Sequence, residues 1–102
     1  MKYVLYKSNG KLNKEIKKHE LIGVEFGEDI YSVENQLKKD IKDDLIESGY
    51  IESAEDIFIG GAVPSAVYGP AKRYRYGMEA TFTVGLDKSR TVEFGIKEVE
   101  EA

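Results

Sequence analysis

Three bases and three tyrosines interleave within nine residues, from Tyr68 through Lys72, Arg73, Tyr74 and Arg75 to Tyr76. That mixture suits nucleic acid: guanidinium groups pair with phosphate oxygens, and aromatic rings stack on bases at about 1–3 kcal/mol each. Tyr68, Lys72, Arg73 and Arg75 are therefore candidate nucleic-acid contacts, with the lysine-rich segment 1–19 as a second basic surface. A regular strand through these residues works against a joint platform. It sends Arg73 and Arg75 to the wet face, and Tyr74 and Tyr76 with Phe82 toward the core. Pairing of the two arginines with acids on a neighbouring strand accounts for them equally well.

The second constellation is acidic. Residues 20–59 hold twelve acids and three lysines, a net of −9, whereas residues 1–19 carry +5, residues 60–90 carry +3 and residues 91–102 carry −3. Blocks of this kind imply faces of opposite sign, which bear on partners more than on fold. Asp40, Asp43, Asp44 and Glu47 are the candidate partner-binding acids. They offer carboxylates where a protein that handles nucleic acid expects phosphates, the chemistry of an inhibitor or adaptor. The plainer account is a solvated acidic face. Asp40, Asp43 and Asp44 share part of one helical face, but no Asp-x-Asp-x-Asp-Gly calcium loop is present and no metal is expected.

Catalytic chemistry is poorly supplied. His19 is the single histidine, set after Lys17 and Lys18 in a polar stretch, with no orienting partner legible. His19-Glu20 lacks the second histidine of a zinc-protease helix. There is no cysteine, which excludes disulfides, thiolate metal sites and thiol nucleophiles. Gly60-Gly61 has no Gly-Lys-Ser/Thr ending, so it is not a phosphate-binding loop. An enzyme built on His19 or Glu79 is the weakest reading, and no cofactor is expected.

The elements that would position these groups are legible in part. At 102 residues, with 41% hydrophobic and 33% charged residues, the chain has the size and composition of one globular domain. Its longest uncharged run, 57–71, is fifteen residues broken by two prolines, too short to span a membrane. Packed crossover is the favoured reading of that run, and an exposed binding loop the other. The N-terminal residues lack the apolar stretch of a secretory signal, so a cytoplasmic location is expected.

Residues 2–6 and 21–26 read as strands, and 11–20 is ambiguous. Ile30, Val33, Leu37, Ile41 and Leu45 recur at intervals of three and four, which places them on one face of a helix. Asp29 or Ser32 is placed to cap its start, and Gly49 to end it in the left-handed conformation. Residues 53–56 suit one capped helical turn, and 57–59 a short strand. The even positions from Tyr74 to Leu86 are apolar and the odd ones polar or small. Val92, Phe94 and Ile96 repeat the alternation, predicting a C-terminal antiparallel hairpin. The fold class that follows is α+β, an antiparallel sheet of four or five strands packed by one main amphipathic helix.

One hairpin register sets Val84 against Val92, Phe82 against Phe94 and Ala80 against Ile96, around a loop of Asp87, Lys88 and Ser89. It is favoured because it also sets Glu79 against Lys97, a pair worth at most about 1 kcal/mol. The functional expectation is a non-enzymatic binding module with a protein partner. Direct binding of nucleic acid or nucleotide through 1–19 and 72–75 is the alternative.

Overall fold

The computed structural model of the chain describes residues 1–8, 19–49, 51, 57–64, 74–84 and 88–100. Within them run β1 (Lys2–Ser8), β2 (His19–Phe26), α1 (Ile30–Glu47), β3 (Ile57–Ile59), β4 (Val63–Pro64), β5 (Tyr76–Val84) and β6 (Lys88–Val99). The strands form one antiparallel sheet in the order β2-β1-β6-β5-β3, with β4 also on β5. One face of this sheet receives α1, so the chain is an α+β fold as its periodicities require.

The helix obeys its sequence signals closely. Ile30, Val33, Leu37, Ile41 and Leu45 are all buried. Asp29 and Ser32 cap its start together: the Asp29 carboxylate accepts from the Ser32 backbone N–H at 2.8 Å, and Ser32 Oγ accepts from the Asp29 N–H at 3.3 Å. Two otherwise orphaned donors are thereby satisfied. At the other end Gly49 takes φ +79° and its N–H donates to the Ile46 carbonyl at 3.1 Å, a left-handed stop.

The core lies between α1 and the side chains of Tyr3, Leu5, Ile59, Met78, Ala80, Phe82, Val92, Phe94 and Ile96. Residues 57–64 follow the edge of β5 as two short strands, and the Gly60 N–H donates to the Glu79 carbonyl at 3.0 Å between them. The first half of the uncharged run is thus packed against the sheet. Its remainder, together with residues 9–18 and the expected turn at 53–56, lies outside the described residues.

The hairpin forms, but in a different register. Met78 pairs with Phe94, Ala80 with Val92 and Phe82 with Arg90, while Glu79 faces Glu93 instead of Lys97. Both registers keep the same residues on the core face, so alternation cannot separate them. The observed connection, residues 85–87, lies outside the described residues. A cross-strand charge pair worth at most about 1 kcal/mol does not fix the register. The wet face compensates in part through a Thr81–Thr91 hydroxyl contact at 3.3 Å.

A second departure concerns the tyrosines. Tyr76 turns toward the core, with its ring 6.5 Å from that of Tyr3. Tyr74 precedes the strand and goes to the opposite side. Its ring lies 5.7 Å from Tyr6 and against Gly95, where an added Cβ would meet it at 2.7 Å. Tyr6 and Gly95 pair with each other on the sheet face away from α1.

Leu37→Ala and Ile41→Ala each remove a side chain with no exposed surface. In urea unfolding each variant is expected to lose about 2–5 kcal/mol. Losses near zero in both would refute the helix–sheet core.

Candidate functional site

The site begins with a charge on the core side of β1. Tyr3, Leu5 and Lys7 alternate onto the face that meets α1, and Lys7 is buried there. A buried ammonium needs partners. Its Nζ donates to Asp44 Oδ2 at 2.8 Å and to Ser48 Oγ at 3.2 Å, and lies 3.5 Å from Glu20 Oε2. Burial alone would lower the Lys7 pKa. The hydrogen bond and charge of Asp44, joined by Glu20, outweigh that and hold it above its ordinary value.

Glu20 reaches this position through a β-bulge. Leu5 pairs with Gly23 but Tyr6 pairs with Leu21, so Ile22 is the extra residue and the register shifts by one. Without the shift, Leu21 would face the helix beside Lys7. With it, Glu20 does, and Leu21 turns to the other face, where it is 57% exposed. Re-aiming a side chain next to a site is a common use of a bulge.

Asp40, Asp43, Asp44 and Glu47 all line one groove of about 470 Å³ between α1 and β2, together with Glu20, Leu21, Ile22 and Ser48. Asp43 and Glu47 are exposed at its rim, while Asp40 and Asp44 are half-buried. Burial pushes the Asp40 pKa up to about 6, reinforced by Glu25 and Asp43 and opposed by Lys39. Its Oδ2 is enclosed and has no hydrogen-bond partner. Among the described residues no group of three histidine or carboxylate side chains is disposed to hold a metal ion.

No known family, curated protein or solved structure matches this chain. Its activity has to be read from its own geometry.

The basic constellation is only partly described. Tyr68, Lys72 and Arg73 lie outside the described residues. Arg75 is exposed, but its guanidinium lies 5.9 Å from the centre of the Tyr76 ring. Base and ring therefore meet instead of occupying opposite faces, because Arg75 sits at a bend before β5 begins. In the basic N-terminal segment, Lys7 is buried in the acidic groove and is withdrawn from any phosphate.

The sheet face without the helix carries a second surface. Phe26, Lys2 and Val99 form one cross-strand row, Val24, Val4 and Lys97 the next, and Leu21, Tyr6 and Gly95 a third. Phe26 is 64% exposed there. The four helix acids are the ones the sequence singles out, and Lys7, Glu20 and Glu25 join them only in the fold. The available signal was Lys7 in phase with Tyr3 and Leu5, which marks a charge that must find a partner inside.

Lys7→Met is expected to cost about 3 kcal/mol, the low end for breaking a buried pair, because Glu20 remains largely in water. Adding Asp44→Leu should recover part of that loss. Because the folded pKa of Lys7 is raised, its stabilisation is complete below the unfolded value and is lost as pH rises through the folded one. Wild type should therefore weaken above about pH 10, and Lys7→Met should lack that component. A variant as stable as wild type in urea would show that the pair holds nothing.

Proposed function

We propose that this chain is a cytoplasmic, non-enzymatic binding module whose acidic groove takes a lysine- or arginine-rich segment of a protein partner. The observation that carries the reading is the convergence of five carboxylates, from Glu20, Asp40, Asp43, Asp44 and Glu47, on one groove between α1 and β2. Lys7 pairs with two of these acids, Asp44 and Glu20, and the acids Asp43 and Glu47 stay open to solvent. Burial, then the charges of Glu25 and Asp43, push the Asp40 pKa up to about 6, which leaves its charged form short of a counter-charge. A basic segment would supply it.

A protein whose surface binds phosphates presents this chemistry, so an inhibitor or adaptor of a nucleic-acid-handling protein is the specific form of the proposal. Electrostatic complementarity of this kind steers encounter and fixes orientation. Direct nucleic-acid binding is disfavoured at the groove by its sign, and at β1 by the burial of Lys7.

Fluorescence anisotropy with two labelled probes tests the reading: an arginine-rich peptide and a DNA duplex of similar length. The peptide is expected to bind, and more weakly as salt rises. Asp43→Asn with Glu47→Gln should weaken it by about 3- to 30-fold, since each exposed charge pair is worth up to about 1 kcal/mol. Binding of the duplex without the peptide would favour the basic surface instead. Peptide affinity unchanged in the double variant would remove the groove from consideration.

A further inference from the structure

We propose that Asp40 and Glu25 form a proton-operated latch between α1 and the edge strand β2. With one proton shared between the two carboxyl groups, the middle of the helix is tied to the strand; without it, two like charges push helix and strand apart.

Gly23 and Glu25 occupy the helix-facing side of β2, opposite Leu5 and Tyr3 on β1. A Cβ on Gly23 would stand 2.6 Å from Asp40 Oδ2 and 2.9 Å from its Cγ, so the missing side chain is what lets the carboxyl reach the strand. Glu25 takes the next helix-facing position along β2, and its charge and side-chain hydrogen bonding raise the pKa of the Asp40 carboxyl. Two ionised carboxylates can only accept, so a bond between them requires that one carry a proton and donate it to the other. The enclosed, unpartnered Oδ2 shows how little water is available to the charged form.

The surrounding charges do not supply a substitute for the proton. On α1 itself Asp43 adds repulsion and Lys39 opposes it, while Asp44 and Glu47 line the same groove. From β2 comes the additional acid Glu20, and from β1 comes Lys7, which bonds Asp44 and pairs with Glu20. Tyr3, the neighbour of Glu25 on β1, is a buried phenol pushed up to about 12 and stays neutral.

The proton therefore leaves in a range well above that of an ordinary aspartate, which is near 3.8. Between that value and about 6 the folded chain holds a proton that the unfolded chain has released. The contribution of this pair to stability accordingly falls as pH rises through that window and is level above it. The mechanical consequence belongs at β2, which has β1 as its sheet neighbour and lies at the end of the strand order. Among the described residues β2 has one ladder, and a strand so held is readily released in local opening.

The latch stands whether or not the groove takes a basic partner, and its test uses the chain alone. The side-chain carboxyl carbons of Asp40 and Glu25 are followed by NMR from about pH 4 to 8, with urea unfolding and amide exchange at the same values. The Asp40 carbon is expected to titrate with a midpoint near 6. Amides of β2 should exchange faster above that midpoint, relative to those of β5 and β6. Asp40→Asn replaces the shared proton with an amide donor. It should raise the urea midpoint above that of wild type near neutral pH and remove this component from the stability profile. Glu25→Gln should shift the Asp40 midpoint downward. An Asp40 midpoint at or below about 4.5 overturns the latch. So does a stability profile that Asp40→Asn leaves unchanged.

Discussion

The charge that Lys7 carries into the interior is the constraint around which helix, edge strand and groove are arranged. Its position on β1 is in phase with Tyr3 and Leu5, so the strand cannot pack on α1 without burying the ammonium. Leaving that charge unpaired would cost several kcal/mol, a large part of what a domain of this size has in reserve. Three features answer it. Asp44 is placed one turn before the C-cap, Ser48 stands at the C-cap itself, and the bulge at Ile22 turns Glu20 inward. The bulge has its own consequence, because the same shift that brings Glu20 in sends Leu21 out. The acidic groove and part of the apolar patch on the far face therefore have one cause.

Much of the fold was legible because it depends on signals that are local and redundant. The helix announces itself by spacing, by Asp29 and Ser32 at its start and by Gly49 at its end, and the three agree. The hairpin faces follow from strict alternation of Met78, Ala80 and Phe82 with polar neighbours. Register was not legible in the same way, because sliding one strand by an even number of residues leaves every side chain on its face. The Glu79–Lys97 pair, worth at most about 1 kcal/mol, is too small a signal to choose among such registers. Tyr74 was misplaced for a related reason. Alternation was extended past the point where hydrogen bonding keeps the chain extended, and Arg75 already lies at a bend.

The candidate site was half legible. Its helix wall could be written from the sequence, since Asp40, Asp43, Asp44 and Glu47 fall within one stretch whose apolar face was already assigned. The strand wall could not. Glu20 enters through a bulge, and a bulge leaves no periodic trace when only eight residues carry it. Glu25 and Gly23 take their meaning from their position beneath Asp40, a contact between consecutive elements that the periodicity of neither one encodes. The block charges conveyed the sign of the surface correctly, yet they assigned Lys7 to a basic segment. In the fold it belongs to the acidic groove, which lowers the charge of both surfaces at once.

Depth within the groove separates what its carboxylates can do. Asp43 and Glu47 stand at the rim in water, where a charge acts weakly on any one neighbour but contributes to a field felt over about 8–10 Å at physiological salt. They suit the guidance of a cationic partner toward the groove. Asp40 lies deeper, against Gly23 and beside Glu25, where the loss of water makes each nearby charge count for more. A cation that reached it would relieve repulsion that is already present, so it would gain more there than at an isolated surface acid. Asp44 and Glu20, paired with Lys7, add less attraction of their own. On the proposed reading the groove is graded: its outer acids would bear on the rate of encounter, and Asp40 on how long a bound cation stays and on how firmly α1 rests on β2.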